Sequence, residues 1–403
     1  LVRPAAVAAA AAAADADTVA PQPKLLSVWT SYEVAIDQTP RALPTRLAET
    51  ILFVGKAVRV LREADTAEAA EWAPETAVAP EGDGALTAVA AVPLPPLDHL
   101  LDGFASELAE LRVSSEPFEL GELEPLLRRM KHATSARLWT YLWGNGLPAL
   151  LAGLKAHYLL GRGELYHGLL TELRAPMRVL PSRRLSLQAM LARAADGDAA
   201  ADPYAERLSL QLPPALPGDS AFGAWRRLAL RVDVPWPMQL LVNASALERY
   251  ADIFSFLLVV KRTQMELHAR WCHQKESAAL PAAERARLHP LWRLRAHMAF
   301  FVDNLQYYLQ VDVLDAQWVA LVQTANQCAD FEELVRAHEA TLGAIHAQCF
   351  LQSASVSAAL MSIFEQSLEL CHLLGDDGGG TPRATVAREF GKQVSFFVSY
   401  LSG

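Results

Sequence analysis

Histidine and cysteine side chains that could bind a metal lie at helical spacing in the second half of the chain. Three such clusters are His268 with Cys272 and His273, His346 with Cys349, and Cys371 with His372. A zinc site needs about four converging ligands, usually in paired short spacings, and no second CxxC or HxxxH motif accompanies these residues. The spacing therefore favours buried thiols and histidines on helix faces. A metalloenzyme that uses His268, Cys272 and His273 is the alternative.

Other catalytic motifs are missing from the sequence. Gly161, Gly163 and Gly168 do not have the GxGxxG spacing of a dinucleotide loop, and neither a phosphate-binding GxxxxGK[ST] nor a GxSxG nucleophile motif occurs. Acidic pairs such as Glu332 and Glu333 are typical of solvated helix faces. We therefore expect a protein that is not an enzyme and that uses no cofactor.

The composition bounds the class of protein. The chain has 403 residues, of which 52% are hydrophobic, a formal charge of -9 and four cysteines. At roughly 150 residues per domain, this length predicts two or three domains. The negative net charge argues against a nucleic-acid binder. The cysteines are interpreted as reduced and buried, as in an intracellular protein. No apolar run approaches the roughly 20 residues of a membrane span.

The elements that position these residues are mostly helices. Residues 1–42 are Ala-rich and are predicted to be a flexible lead. Residues 64–96 are rich in Ala, Pro and acidic residues and are predicted to be a disordered insertion. The predicted helices of the first half are Leu43–Glu63, Leu97–Arg112, Phe118–Lys131, Ala133–Trp143, Leu147–Leu160, Glu164–Leu173 and Arg183–Ala195. Gly161 and Gly163 suit a tight turn because glycine accepts left-handed backbone.

The second half begins with a small sheet and continues with long helices. Alternating residues predict a hairpin of Glu206–Leu212 and Leu228–Val234, joined by a Pro- and Gly-rich loop. The long predicted helices are Ala244–Glu276, Ala282–Gln327, Phe331–Leu374 and Ala384–Leu401, the last with Val394, Phe397 and Leu401 facing inward. A helix of 45 residues would span roughly 65 Å. The fold class is therefore mainly α, with two elongated helical bundles and a β-hairpin in the second.

The stretch Pro290–Ala316 has two faces at helical periodicity. Its predicted core face carries Leu294, Met298, Phe301, Leu305 and Tyr308, and its other face carries Arg293, Arg295, Asn304, Gln306 and Tyr307. Residues 261–297 also hold eight Lys and Arg against three Glu, a local charge of +5. Because interfaces are enriched in Arg and aromatic side chains, the second face is either a partner surface or an ordinary solvated face.

Two long segments resemble the gamma-tubulin complex component family. They are Val232–Leu267 and Trp292–Trp318, the second containing VDNLQYYLQVD, and they are similar to the C-terminal domain of that family. LAETILFVG at Leu47–Gly55 and HYLLGRGELYHGLL at His157–Leu170 resemble its N-terminal domain. The resemblance covers most of residues 43–403, and the match is best to small members with little beyond these two domains.

The resemblance implies a domain organisation and a function. Residues 43–178 are then an N-terminal helical domain that contacts neighbouring components side by side in a ring, although its beginning is not in the sequence. Residues 179–403 are a C-terminal domain that binds gamma-tubulin, so that the ring templates microtubule nucleation in the cytoplasm, at centrosomes and spindle poles. The expected gamma-tubulin contacts are Arg293, Arg295, His297, Phe300, Asn304, Gln306 and Tyr307.

One alternative remains within the class of helical scaffolds. Subunits that tether vesicles are also built from long helices, so co-sedimentation with membranes or with gamma-tubulin would distinguish the two functions. Neither function requires a nucleic acid or insertion into a membrane.

Overall fold

A computed structural model gives the architecture of the chain. It describes residues 2–4, 29, 32–35, 40, 43–66, 97–113, 120–174, 177, 189–191, 207–212, 221–276, 281–328, 330–374 and 383–402. The described part is mainly helical, which confirms the predicted fold class. Most of the predicted lead and insertion, and the predicted helix at 183–195 apart from three helical residues, lie outside the described residues.

The elements up to residue 232 are mostly helices. In chain order they are β1 Val2–Pro4, β2 Tyr32–Val34, α1 Thr45–Thr66, α2 Leu97–Val113, α3 Leu120–Gly144, α4 Leu147–Tyr158, α5 Gly163–Leu173, β3 Leu208–Gln211, α6 Ala221–Arg226 and β4 Ala229–Val232. The predicted pair Phe118–Lys131 and Ala133–Trp143 is wrong, because one helix, α3, runs through both. No glycine or proline interrupts that junction at Lys131–Ala133.

The elements from residue 244 onward are longer. They are α7 Ala244–Glu276, α8 Ala282–Tyr307, a π-helical segment Tyr308–Asp315, α9 Ala316–Gln327, α10 Phe331–Gln348, α11 Ala354–Leu373 and α12 Arg383–Ser402. The predicted helix Ala282–Gln327 is therefore continuous, but it widens to π geometry for two turns.

The predicted single helix Phe331–Leu374 is wrong. The helix ends just before Phe350, whose backbone is left-handed with a φ of 61°. The Phe350 amide donates to the Ala347 carbonyl and the Leu351 amide to the His346 carbonyl, at 2.9 and 3.1 Å. These two bonds form a Schellman end, in which glycine is the usual residue. Phenylalanine at that position gave no sequence signal for the break.

The described residues divide into two compact units that do not coincide with two sequence halves. Unit 1 comprises residues 1–151, 234–243 and 321–338, and unit 2 comprises 152–233, 244–320 and 339–403. In unit 1, β1 pairs antiparallel with β2, with Val2 opposite Val34, and α1 packs on α3. The paired strands fall inside the predicted flexible lead.

A polar network joins distant parts of the sequence within unit 1. The Ser135 hydroxyl donates to Asp330 Oδ1 at 2.8 Å and accepts from the Phe331 amide at 3.0 Å. Asp330 Oδ1 also accepts from the Glu332 amide at 2.8 Å, which caps the first turn of α10. Lys131 forms a salt bridge with Glu332 at 2.6 Å. The start of α10 is therefore fixed to α3.

Unit 2 is built around α7. Tyr250, Phe254, Leu258 and neighbouring apolar side chains of α7 are fully buried, and α7 packs on α8, α11 and β4. The predicted hairpin is present as β3 and β4, which pair antiparallel with Leu208 opposite Val232. Its connection differs from the expected loop because α6 lies between the strands. The buried Tyr158 hydroxyl donates to the Leu230 carbonyl at 3.2 Å and ties α4 to the sheet.

The turn between α4 and α5 has its own steric requirement. The left-handed residue is Leu160, with a φ of 56°, and neither predicted glycine holds that conformation. A Cβ atom at Gly161 would lie 3.0 Å from the Lys155 carbonyl oxygen. Glycine is therefore needed at 161 for close approach of the backbone, and the predicted reason for it was wrong.

Candidate interaction surface on helix α8

The outer face of α8 carries a continuous exposed row of side chains. Its members are separated by alternate steps of four and three residues, which places them on one side of a helix. The row comprises Arg293, His297, Phe300, Asn304, Tyr307 and, in the π-helical segment, Val311. We call these six residues the α8 stripe. It spans about 27 Å at helical rise.

Two large aromatic side chains stand in the middle of the α8 stripe. Phe300 is 73% exposed and Tyr307 is 65% exposed, the largest values among the exposed large hydrophobic residues of the described chain. They lie seven residues apart, about 10 Å along the helix. Between them, the exposed Asn304 donates from Nδ2 to the Phe300 carbonyl at 2.6 Å. Large exposed apolar groups in a row indicate a binding surface.

The opposite side of α8 rests on an aromatic cluster in unit 2. Phe301 meets Phe397 edge to face at 5.7 Å between ring centroids, and Phe397 meets Phe350 at 5.2 Å. Phe350 in turn lies 6.1 Å from Tyr308. Edge-to-face pairs of this kind contribute roughly 0.5–1.5 kcal/mol each beyond burial of area. The α8 stripe is therefore presented by a helix whose inner side is fixed.

The left-handed Phe350 and the π-helical segment take part in the same packing. The turn between α10 and α11 turns the Phe350 ring toward Tyr308, the first residue of the π-helical segment. The Tyr308 hydroxyl donates to the Gln348 carbonyl at 3.4 Å. Wider π turns are frequent at functional sites in proteins, and here one follows directly after Tyr307.

The predicted contact residues are not all exposed. Arg293, His297, Phe300, Asn304 and Tyr307 are exposed, and Gln306 is half-buried. Arg295 is only 8% exposed, and its guanidinium donates to the Leu267 carbonyl at 3.2 Å. Its placement on the outer face was therefore wrong. Burial lowers the pKa of Arg295, with smaller opposing effects from Cys371 and Asp303. A step of two residues on a helix turns the side chain by about 200°.

Of the predicted core residues in Pro290–Ala316, Met298 and Leu305 are buried, whereas Leu294, Phe301 and Tyr308 are half-buried. On α12, Phe397 is buried and Val394 half-buried, but Leu401 is exposed. Its predicted inward orientation was wrong, because the last turn of α12 extends beyond its packing surface.

The basic segment 261–297 does not form one outward patch. Arg262 and Arg270 line an inner recess of unit 2, and Arg295 is buried. Arg285 and Arg293 are exposed, and Lys261 donates to Gln264 Oε1 at 3.2 Å. The net charge of the sequence segment therefore overstated the charge of the outer surface.

The candidate metal ligands do not converge. His268 lies 3.2 Å from a carboxylate oxygen of Asp303, while Cys272 is exposed, contrary to its predicted burial. Cys328, Cys349 and Cys371 are buried thiols. Within the described ranges, no group of three or more His, Cys, Asp or Glu side chains is arranged to hold a metal ion. Nor does any helix in that part of the chain combine the length and apolarity needed to cross a membrane.

Comparison with known proteins defines the class to which this fold and surface belong. Residues 147–403 match the family model described as Gamma tubulin complex component C-terminal, and they include the long helices of unit 2 and the whole α8 stripe. The chain belongs to the gamma-tubulin complex component family. The predicted family resemblance is thereby confirmed.

Individual relatives extend the likeness beyond the family model. Gamma-tubulin complex component 4 of Arabidopsis thaliana is 29% identical over 444 residues, covering 93% of this chain and 58% of the relative. The human component 4 is 28% identical over 401 residues, covering 92% of this chain and 56% of the relative. Human component 3 is 27% identical over 232 residues, with coverages of 55% and 25%. The chain thus spans less than three fifths of these relatives.

Proposed function

We propose that the chain is a non-enzymatic structural subunit of a gamma-tubulin complex, and that it binds gamma-tubulin through the α8 stripe. The observation that carries this proposal is the family match over residues 147–403, since the relatives are named as components of that complex. The α8 stripe lies inside the matched region and has the composition of a binding surface.

The geometry supports Phe300 and Tyr307 as the anchors of this interface. Interface energy concentrates in a few large aromatic and Arg side chains near the centre of the contact. Because the backbone of α8 is fixed by the aromatic cluster beneath it, the helix that carries the two rings loses little backbone freedom on binding. Arg293 and His297 form the polar, N-terminal end of the α8 stripe. Arg295 is not part of the proposed contact.

The remaining parts of the proposal concern assembly. Residues 43–178 form the predicted domain that contacts other gamma-tubulin complex components laterally, and residues 179–403 the domain that holds gamma-tubulin. A ring of such pairs templates microtubule nucleation at microtubule-organising centres, including centrosomes and spindle poles. The likeness to both component 4 and component 3 supports association with related subunits.

The binding of purified gamma-tubulin by the full chain tests the proposal. The double variant Phe300→Ala with Tyr307→Ala is expected to lose at least tenfold in affinity, since each anchor contributes at least about 1 kcal/mol. Biolayer interferometry with immobilised chain measures the dissociation constant. A wild-type chain that is folded by circular dichroism and does not bind gamma-tubulin would overturn the function.

A matched control comes from another exposed aromatic pair. Phe396 and Tyr400 lie four residues apart on α12 and are 45% and 51% exposed. Their replacement by Ala removes a similar apolar area at a different place and should leave the affinity unchanged. Equal losses in both double variants would reject the α8 stripe as the contact, whereas co-sedimentation with liposomes in place of gamma-tubulin would favour the vesicle tether.

A further inference from the structure

A recess inside unit 2 collects positive charge. Its walls come from α5 and the residue that follows it, α6, α7 and α11, and its lining residues are Leu170, Arg174, Trp225, Arg262, Glu266, Arg270, Leu368, Cys371 and His372. We call it the arginine recess. None of these residues belongs to the α8 stripe, so the proposed gamma-tubulin contact does not account for it.

The cations of the arginine recess are placed by helical spacing. Arg262, Glu266 and Arg270 follow one another at steps of four residues on α7, so they lie on one face. Arg174 reaches the same face from the end of α5 and forms a salt bridge with Glu266 at 2.6 Å. Apart from Arg262, which stacks on Trp225, two guanidinium groups therefore share a single carboxylate among the described lining residues.

The other lining groups do not offset this positive charge. Burial, with a further contribution from Glu266, raises the pKa of the Cys371 thiol to about 12, so the thiol is neutral near pH 7. Arg270, Arg295 and Arg174 oppose that rise without reversing it. The Arg262 guanidinium stacks on the Trp225 ring at 4.3 Å, which fixes its plane but supplies no negative charge.

Some of the donors of these guanidinium groups face no acceptor. Arg174 Nε and Arg270 Nε are buried and have no hydrogen-bond partner among the residues that the structure describes. Buried donors in proteins are nearly always paired with protein, water or a bound ion. Their N–H groups require an acceptor, and the surplus of cations favours one that carries negative charge.

The size of the arginine recess selects the ligand. Its cavity volume is about 20 Å³, and a single water needs roughly 10–15 Å³ on the same measure. That space admits one atom-sized ligand and is too small for phosphate or a nucleotide. We propose that the arginine recess binds one chloride-sized monovalent anion, which Arg174 and Arg270 hold and which stabilises the packing of α5 and α11 on α7.

Thermal unfolding of the full chain tests this site. Chloride replaces gluconate at constant sodium concentration and ionic strength, so that general screening does not change. Above the dissociation constant, each tenfold rise in chloride is expected to raise Tm by roughly 2 °C, because the anion binds the folded state alone. An equal Tm in chloride and gluconate at every concentration of the series overturns the site.

Matched arginine variants locate the effect. Arg270→Gln removes a recess cation and should abolish the chloride-dependent rise in Tm, whatever its own starting Tm is. Arg293→Gln removes an exposed cation of the α8 stripe and should retain the full rise. If Arg270→Gln keeps the rise, the anion binds elsewhere and the proposal is wrong.

A measurement on the unmodified chain keeps the test independent of variant folding. The ³⁵Cl resonance of a dilute chloride solution should broaden when the chain is added, and bromide should reverse the broadening by competition. An absence of broadening at a protein concentration above the dissociation constant from the Tm series contradicts the site. Neither readout requires gamma-tubulin. A negative result would therefore reject the anion site and leave the proposed function intact.

Discussion

Neighbouring aromatic residues of unit 2 have opposite surroundings. On α8, Phe300 is exposed while Phe301 packs on Phe397. On α12, Phe396 is exposed while Phe397 is buried among Phe301 and Phe350. A helix turns its side chains by about 100° per residue, so adjacent residues of one chemical type point to different environments.

This difference shows that residue type and position in the sequence do not assign a role by themselves. Phe301 and Phe397 contribute to the free energy of unfolding, whereas Phe300 and Phe396 are exposed and contribute little to it. The two regions, an outer aromatic surface and an inner aromatic cluster, should therefore respond in opposite ways to the same substitution.

The largest effect is expected at Phe397. Its side chain is 5% exposed and contacts two other rings, so Phe397→Ala should lower the free energy of unfolding by about 3–5 kcal/mol. Phe396→Ala, one residue away and 45% exposed, should change it by less than about 1 kcal/mol. Urea denaturation followed by fluorescence measures both. Similar losses in the two variants would contradict the assignment of α12 faces.

The buried side chain of His338 allows buried and exposed surroundings to be compared for a group that can carry charge. Burial lowers the pKa of His338 to about 4, from 6.5. In the unfolded chain the imidazole takes a proton near pH 6.5, whereas in the folded chain it does so only near pH 4. Its contribution to stability is therefore complete above pH 6.5 and is lost as the pH falls toward 4, by up to about 3 kcal/mol.

His338→Gln tests this pH dependence because it removes the titrating group. The free energy of unfolding of the wild type should fall more steeply between pH 6.5 and 4 than that of the variant. Parallel curves for wild type and His338→Gln would show that His338 is not buried in the neutral form.

The next largest effect on the free energy of unfolding is expected at one of two arginines on α8. Arg295 is buried along its length, so Arg295→Ala removes packing as well as its bond to the Leu267 carbonyl and should cost about 2 kcal/mol. Arg293→Ala removes an exposed side chain and should change the free energy of unfolding by less than about 0.5 kcal/mol. Chemical denaturation measures the difference. If Arg295→Ala leaves the free energy of unfolding unchanged, Arg295 becomes a candidate gamma-tubulin contact again.

The sequence was sufficient for those parts of the fold that follow from periodicity. The continuous helix Ala244–Glu276 and the paired strands near Leu208 and Val232 were predicted because apolar spacing reports the buried side of an element. The break at Phe350 was not predicted, since its left-handed backbone is held by tertiary ring contacts that no local pattern encodes.

The candidate site could be predicted only in part, for a related reason. Periodicity and the family resemblance pointed to one face of α8, and five of the seven predicted residues are exposed there. Arg295 was misplaced because a long polar side chain was assumed to face solvent, whereas its backbone position points inward. The arginine recess was not predicted at all, since Arg174 joins Arg262 and Arg270 only through folding.

The smallest effect on folding is expected on the α8 stripe itself. Phe300→Ala and Tyr307→Ala remove exposed rings, so each should change the free energy of unfolding by less than about 0.5 kcal/mol, while the pair lowers gamma-tubulin affinity at least tenfold as proposed. Phe301→Ala, the adjacent control, should destabilise the chain. Denaturation and binding measured on the same preparations separate the two effects. A destabilised Phe300→Ala would mean that this ring packs within the molecule, and its loss of binding would then be no evidence for a contact.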